Sequence, residues 1–384
     1  MATANGTWGY RDRFGDSFGR TYFRRFGPGV VSSIGIGTYL GAPTDAVDDA
    51  YHDSLVEAFE SGVNLVDTAI NYRCQRSERV VGRAFGDADI DREELVVATK
   101  GGFLPFDGER PSDPSAYVRE QFVDTGLVDA DDLARGSHCM TPDFLDAMLD
   151  RSLDNLRMDT IDCYYVHNPE TQLAKRDAES VYDQLEAAFE RLEKRRNAGD
   201  IGGYGIATWE AFRVPPEHPS YLSLAEVVSR ADRAAETVGN EASGLIALQL
   251  PFNVEMADAF TAKVHERPVN HGSENDEHRS DERDEDDEDD SERVSALEFA
   301  HESGLSVFAS ASLKQGDLVA GLPEAVAAEL EGDSPSQQAL NFARSAPAVT
   351  AALVGTKSRE HVAENVAAGT FDPLGAKAFD GVFE

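Results

Sequence analysis

Eight short apolar runs recur along the chain, each followed by a helical pattern, and this alternation constrains the fold more than any other feature. The runs are Val31–Thr38, Asn64–Ala69, Leu95–Gly101, Ile161–His167, Gly203–Thr208, Leu245–Phe252, Leu305–Ala311 and Val349–Gly355. Segments such as LVVAT, IDCYYV and VTAALVG are almost continuously apolar, as strands buried on both faces are. Amphipathic helices are expected over Thr44–Ser61, Ser77–Phe85, Thr141–Arg157, Ala178–Ala198, Tyr221–Thr237, Glu292–Glu302, Pro335–Arg344 and Ser358–Ala368. Their edges carry Thr, Asp or Thr-Pro openings and Gly endings. Strand and helix alternating in this way predict an α/β fold, a parallel (β/α)8 TIM barrel. A doubly wound sheet is the competitor; eight consecutive units without a domain break favour the barrel.

Around that core, TYFRRFGPGVV places two short runs about a Gly-Pro-Gly turn and reads as an N-terminal hairpin under the barrel. Residues 1–21 read as a flexible N-terminal arm, and 22–384 as a single barrel domain. Residues 102–139, rich in Pro, Asp and Gly, follow the third strand. On a barrel that position is a catalytic-face loop, which shapes the substrate pocket. Residues 267–291 hold HGSENDEHRSDERDEDDEDDS, a charge block that cannot bury a core and reads as a disordered acidic insertion. Its carboxylates with His271 and His278 suggest metal binding only weakly beside the ordinary reading of a solvated loop.

Composition narrows the partners. Lys and Arg number 35 against 71 Asp and Glu, a formal net charge of −36. Such a surface repels phosphate backbones and anionic lipid, so no nucleic-acid or membrane partner is expected. It stays soluble where salt screens self-repulsion, which predicts a halophilic, high-salt cytoplasm. The cysteines, Cys74, Cys139 and Cys163, form no CxxC pair, so neither a disulfide framework nor a metal site is expected. The N-terminal residues lack the apolar core of a signal peptide, and a cytoplasmic location is expected.

Four chemical side chains fall at the ends of neighbouring runs. Asp67 ends the second, with Tyr72 just beyond it; Lys100 ends the third and His167 the fourth. Singly, each has an ordinary reading: Asp67 a helix cap, His167 a satisfied structural imidazole. Together they meet on the C-terminal rim of a parallel barrel, where active sites of this fold form. A free phenol has a pKa near 10 and exchanges protons poorly at neutral pH. An ammonium beside it favours phenolate, and a carboxylate keeps that ammonium charged and oriented. The phenol then exchanges a proton with a carbonyl oxygen, and a neutral imidazole aims that oxygen. The set suits carbonyl reduction by hydride.

The surrounding sequence resembles the aldo-keto reductase family from about Tyr22 to Ala368. GIGTYLG is similar to its first strand. GVNLVDTAINY followed by RSERVVGRAF is the most specific stretch, and ATKGG, SLDNLRMDTIDCYYVHNPE, LEKRRNAGDIGGYGIATW, LQLPFN and ALVGTKSREHVAEN follow in family order. The resemblance implies a TIM barrel that reduces aldehydes and ketones, or oxidises an alcohol or sugar hydroxyl, with NADPH and in some members NADH. It implies Tyr72 as general acid/base, Lys100 and Asp67 as its tuning pair, and His167 orienting the carbonyl. For the cofactor it implies Gly37, Thr38, Asn168, Gln249, Leu313, Gly316, Gly355, Lys357, Ser358, Arg359, Glu364 and Asn365. The start of the last helix, with Lys357, Ser358 and Arg359, offers backbone N–H groups and charge for a 2′-phosphate, which favours NADPH. Gly35, Gly37 and Gly41 have the wrong spacing for a Rossmann turn. Tyr39 and Trp209 are expected at the substrate.

Two departures bear on the nicotinamide contacts. Ala207-Thr208-Trp209 stands where relatives often carry Ser-Asn, and Ser310-Ala311-Ser312-Leu313 where many carry Tyr-Ser-Pro-Leu. Trp209 is the candidate replacement for the missing ring. The rival to an oxidoreductase is an NADPH-binding regulatory subunit with slow or no turnover; a third reading is an aldolase using Lys100 as a Schiff-base nucleophile. The partner expected is a small-molecule carbonyl or alcohol substrate; oligomeric state is unreadable.

Overall fold

A computed structural model describes residues 1–268 and 293–383. The strands, in chain order, are β1 (Phe23–Phe26), β2 (Gly29–Ser32), β3 (Ile34–Gly37), β4 (Leu65–Asp67), β5 (Val96–Gly101), β6 (Ile161–His167), β7 (Ile201–Ala207), β8 (Leu245–Pro251), β9 (His265–Glu266), β10 (Arg293–Val294), β11 (Ser306–Ser310) and β12 (Val349–Gly355). The helices are α1 (Ala4–Phe14), α2 (Asp45–Glu60), α3 (Arg76–Asp87), α4 (Pro114–Val118), α5 (Pro142–Leu156), α6 (Ala178–Ala198), α7 (Leu224–Val238), α8 (Asp258–Thr261), α9 (Ala296–Glu302), α10 (Glu324–Ala327), α11 (Pro335–Ser345), α12 (Arg359–Ala367) and α13 (Ala376–Asp380).

Strands β3 to β8, β11 and β12 close into one parallel barrel in the order β11-β12-β3-β4-β5-β6-β7-β8. The eight runs read from the sequence are these strands, with one difference: Val31–Thr38 is two elements. Its first residues belong to the hairpin β1/β2 and the rest to β3. At Ser33 the chain turns from hairpin to barrel, and its N–H donates to the Tyr22 carbonyl (2.6 Å).

Two cores result. The larger lies between strands and helices; the smaller fills the barrel with side chains such as Leu65, Val96, Ala98, Tyr165 and Phe308. Val31 of the hairpin belongs to this inner cluster, and Phe26 meets Phe308 edge-on at 5.5 Å. The hairpin therefore closes the barrel end opposite the strand C-termini, leaving the C-terminal rim as the open face.

The flexible arm expected over residues 1–21 is corrected. It holds α1, capped by the Thr3 side chain, which accepts from Gly6 N–H. Tyr10 is fully buried and donates to the Phe59 carbonyl (2.7 Å). Gly6 lies so close to the Glu93 carbonyl that a Cβ there would sit 2.2 Å from its oxygen. Burial of one phenol and a glycine contact, rather than an apolar stripe, dock this helix.

The 102–139 loop is partly helical: it carries α4, a π turn over Arg119–Val123 and a 3-10 turn over Ala130–Asp132. Its ends are joined by an antiparallel bridge between Phe103 and His138. Strands β9 and β10 pair antiparallel, and Arg267 binds Glu298 (3.0 Å) and Glu302. The disorder expected for 267–291, and any metal role of His271 and His278, fall almost wholly outside the described residues. Among the described residues no helix is long and apolar enough to cross a membrane, and no group of three His, Cys, Asp or Glu is arranged to hold a metal.

Candidate active site

The barrel register brings the strand ends together. Gly37 of β3 pairs with Asp67 of β4, Asp67 with Ala98 of β5, and Lys100 with Tyr165 of β6. Lys100, with no exposed surface, donates to Asp67 Oδ1 (2.6 Å) and to the Thr68 carbonyl (2.8 Å). A buried ammonium is tolerable only when so paired. The other carboxylate oxygen, Asp67 Oδ2, accepts from Gln249 Nε2 (2.7 Å), which reaches across the barrel from β8. Burial pulls the Lys100 pKa down and Asp67 opposes it.

The ammonium lies 4.9 Å from the centre of the Tyr72 ring. Burial first, then the Asp67 carboxylate and the Tyr39 phenol, push the Tyr72 pKa well above its usual value. This differs from the phenolate expected from sequence. The Lys100 charge is spent on Asp67 and Thr68, so the pair is nearly neutral toward the phenol, and desolvation decides. A neutral phenol is a proton donor. Its hydroxyl makes no hydrogen bond with the described residues, and Tyr72 lines a cavity.

His167 ends β6, with its ring centre 6.0 Å from that of Tyr72. Burial, then Lys100 and His138, hold its pKa well below the usual imidazole value, so it is neutral near pH 7. Its Nδ1 is buried without a partner. His138, from the 102–139 loop, donates from Nε2 to the His167 carbonyl (2.8 Å) and accepts at Nδ1 from Gln172 (3.0 Å). The carbonyl can only accept, which fixes that tautomer. Gly102 passes so close that a Cβ would stand 2.6 Å from the His167 oxygen, with φ at +151°. Phe103 meets both His138 and His167 edge-on, at 5.0 and 5.1 Å.

One cavity of about 900 Å³ joins these groups. Asp67, Tyr72 and His167 line it, with Tyr39, Phe103, Trp209, Asn71 and Asn168 around them. It continues past Gly37, Thr38 and Gln249 to Leu313, Gly316, Gly355, Glu364 and Asn365. All the candidate residues named from sequence border it except Lys100, which lies behind the wall, and Lys357, Ser358 and Arg359. These last three lie beside its far end, at the start of α12. Arg359 is 3.8 Å from Asp53, and the Ser358 side chain makes no capping bond. Because the Lys100 amine is sealed and doubly bonded, it is not available as a Schiff-base nucleophile.

Trp209 is held in a turn that sequence did not reveal. Glu170 Oε1 accepts from the Thr208 hydroxyl (2.8 Å) and from the N–H groups of Trp209 (3.0 Å) and Glu210 (3.2 Å). The Thr208 hydroxyl in turn accepts from Ala211 N–H (2.9 Å), so it has no donor left for the cavity. Asn71, Phe103 and His138 were also missed. Nothing local marks Phe103 and His138, since their place depends on closure of the 102–139 loop, whereas Asn71 lies beside Tyr72 on the turn after β4.

Arg73, Cys74 and Gln75, directly after Tyr72, all have positive φ, at 48°, 58° and 68°. Each costs about 1–2 kcal/mol for a residue with a Cβ, and such strain persists only where surrounding contacts enforce it.

A closed parallel barrel with acid, amine, phenol and imidazole gathered at its C-terminal rim defines a (β/α)8 protein with a reactive cleft. Residues 33–215, from the entry of β3 to the loop after β7, match the model of the Aldo/keto reductase family. Among curated relatives, D-threo-aldose 1-dehydrogenase of Pseudomonas sp is 32% identical over 163 residues, 42% of this chain and 44% of that one. The NADH-specific methylglyoxal reductase of Escherichia coli (strain K12) is 30% identical over 143 residues, 36% of this chain and 38% of that one. The chain thus matches less than half the length of these relatives. Over the whole fold it is similar to an aldo/keto reductase from Klebsiella pneumoniae in complex with NADP and acetate, with a TM-score of 0.56, 18% identity and 94% of both chains covered. That likeness shows the barrel.

Proposed function

We propose that this protein is an NAD(P)H-dependent oxidoreductase that reduces an aldehyde or ketone, or oxidises the matching hydroxyl. The observation that carries the reading is a neutral phenol and a neutral imidazole on one cavity wall, above a sealed Asp67–Lys100 pair. The cavity has the size and lining for a dinucleotide. Asn168 offers an amide that makes no hydrogen bond with the described residues, Gln249 keeps its carbonyl oxygen free, and the α12 start with Lys357 and Arg359 supplies positive charge for a phosphate. The Klebsiella relative's bound NADP and the Escherichia coli relative's NADH preference frame the choice, and the cationic α12 start favours NADPH.

When bound, the dinucleotide supplies a hydride from its nicotinamide. Tyr72 donates its phenolic proton to the substrate oxygen as negative charge develops there, and the hydroxyl form of the product leaves. His167 donates a hydrogen bond to the same oxygen and fixes its direction. Lys100, held by Asp67 and Thr68, lies 4.9 Å from the centre of the Tyr72 ring and balances the Asp67 charge beside it. Gln249 fixes the carboxylate that holds the amine. Among the described residues lining the cavity there is no Lys or Arg, while Tyr39, Phe103 and Trp209 present rings. The substrate class is therefore an uncharged carbonyl compound with an apolar face. The strongly acidic composition supports a salt-rich cytoplasm as the working compartment.

The test is a panel of uncharged and carboxylated aldehydes, with NADPH and NADH, at high salt. Turnover of uncharged aldehydes with NADPH supports the reading, and no turnover of any carbonyl compound with either cofactor rejects it.

A further inference from the structure

The turn after Tyr72 holds more of the site than its own length accounts for. Its three non-glycine residues all adopt left-handed backbone, and between them they are tied to two segments that flank the cavity. The Arg73 guanidinium is buried. It donates to the Ala42 carbonyl through Nε (3.2 Å) and Nη2 (3.1 Å), reaches the Thr44 carbonyl (3.5 Å), and pairs with Asp48 at the start of α2. It also lies over the Tyr51 ring at 5.1 Å, and the Tyr51 hydroxyl donates to the Leu40 carbonyl (2.6 Å). The Cys74 carbonyl accepts from Gly108 N–H (2.9 Å), and Gln75 Nε2 donates to the Phe106 carbonyl (3.0 Å).

Two segments are therefore fixed to the residues next to Tyr72. One is the stretch from β3 to α2, which carries Tyr39 and Leu40; the other is the start of the 102–139 loop, which carries Phe103. Tyr39 is 56% exposed, so little other packing holds it, yet its ring meets that of Tyr72 at 5.0 Å. We propose that Arg73 is a positioning residue for the reaction: its buried guanidinium locks the left-handed turn and thereby sets Tyr72 against the Tyr39 segment of the substrate mouth. This rests on the proposed role of Tyr72 as proton donor.

Arginine suits the task because its rigid fork serves two carbonyls and a carboxylate at once, which a lysine ammonium at the end of a flexible stem does not. Glycine gives the opposite test. It removes the left-handed strain and the clamp together. If backbone strain alone mattered, Arg73→Gly would equal or improve on the natural protein.

The experiment compares Arg73→Gly, Arg73→Lys, Asp48→Asn and Tyr72→Phe in the full chain at high salt. Cofactor dissociation constants come from NADPH fluorescence, kcat and KM from an uncharged aromatic aldehyde, and folding from thermal melts. Arg73→Gly is expected to lower kcat at least tenfold and to raise substrate KM, with the NADPH dissociation constant within twofold. Arg73→Lys should recover part of the loss. Asp48→Asn, which keeps the shape of the partner and weakens its hold, should lower kcat in the same direction by less, and it carries the test should Arg73→Gly not fold. Wild-type kcat in all three folded variants overturns the inference, as does a loss matched by an equal loss of NADPH binding. Tyr72→Phe separates the two claims: if it turns over normally, the proposed function fails. If it is inactive while the Arg73 and Asp48 variants are unaffected, only this inference fails.

Discussion

Replacing Lys100 with methionine removes a charge without opening a large cavity, and the structure sets the size of the effect. The ammonium and the Asp67 carboxylate are 2.6 Å apart, with side chains 0% and 7% exposed. At an effective dielectric of about 20, that separation corresponds to about 6 kcal/mol of attraction. Burial of both ions offsets part of it, and deleting one member of such a pair costs about 3–5 kcal/mol, because the other stays buried and uncompensated. Gln249 remains as a single neutral donor to Asp67, and the Thr68 carbonyl loses its partner. Lys100→Met is therefore expected to lose about 4 kcal/mol. Changing both members removes the stranded charge, so Asp67→Asn with Lys100→Met should lose only about 1–2 kcal/mol, less than the single change. Equilibrium urea unfolding at one fixed salt concentration, followed by tryptophan fluorescence, measures both. A single-variant loss below about 1 kcal/mol, or a double variant as unstable as Lys100→Met, would refute the reasoning.

Further outcomes follow from the same geometry. Burial drops the pKa of His138 and of His265 to about 4, from an ordinary value near 6.5. The folded state then holds fewer protons than the unfolded chain, so the stability from each is complete above about pH 6.5 and is lost as pH falls toward 4, about 3 kcal/mol apiece. Urea unfolding at pH 7 and pH 4.5 should show this slope, reduced in His138→Gln; an unchanged slope contradicts it. Trp209 is 42% exposed at the cavity edge, so Trp209→Ala should leave the melting temperature within a few degrees while raising KM for an aromatic aldehyde about tenfold, the loss of one stacked face. Unchanged KM would remove it from the substrate wall. Lys357→Ala with Arg359→Ala should weaken NADPH about tenfold or more and leave NADH nearly unaffected; equal loss for both cofactors argues against a phosphate site there.

The barrel was legible because its strands are buried on both faces, so each reads as an apolar run without needing its partners. Helix edges followed where a glycine marks them, as at Gly199 in left-handed backbone, while the helix expected from Tyr221 begins at Leu224, behind the Ser223 cap, and ends at the Gly239 cap. Helix α1 was not legible, since Tyr10 and Gly6 dock it through single contacts rather than a periodic face. The four candidate residues could be named together because strand C-termini share one rim whatever the loops do. Its electrostatics could not: the phenol's environment depends on how completely Asp67, Thr68 and Gln249 neutralise the amine, and Gln249 lies 182 residues from Asp67 in sequence. His138 and the left-handed turn at Arg73–Gln75 escaped for the same reason, because each is defined by contacts between loops distant in the chain.

The central claim is that the Tyr72 hydroxyl delivers the proton that completes hydride transfer. Single-turnover oxidation of NADPH by Tyr72→Phe with an uncharged aldehyde tests it most directly, because that hydroxyl bonds to no described residue and its loss leaves the fold and the cofactor site intact. The account predicts native melting and NADPH binding with a rate lower by about 10²–10⁴. A variant that oxidises NADPH at the natural rate would contradict it.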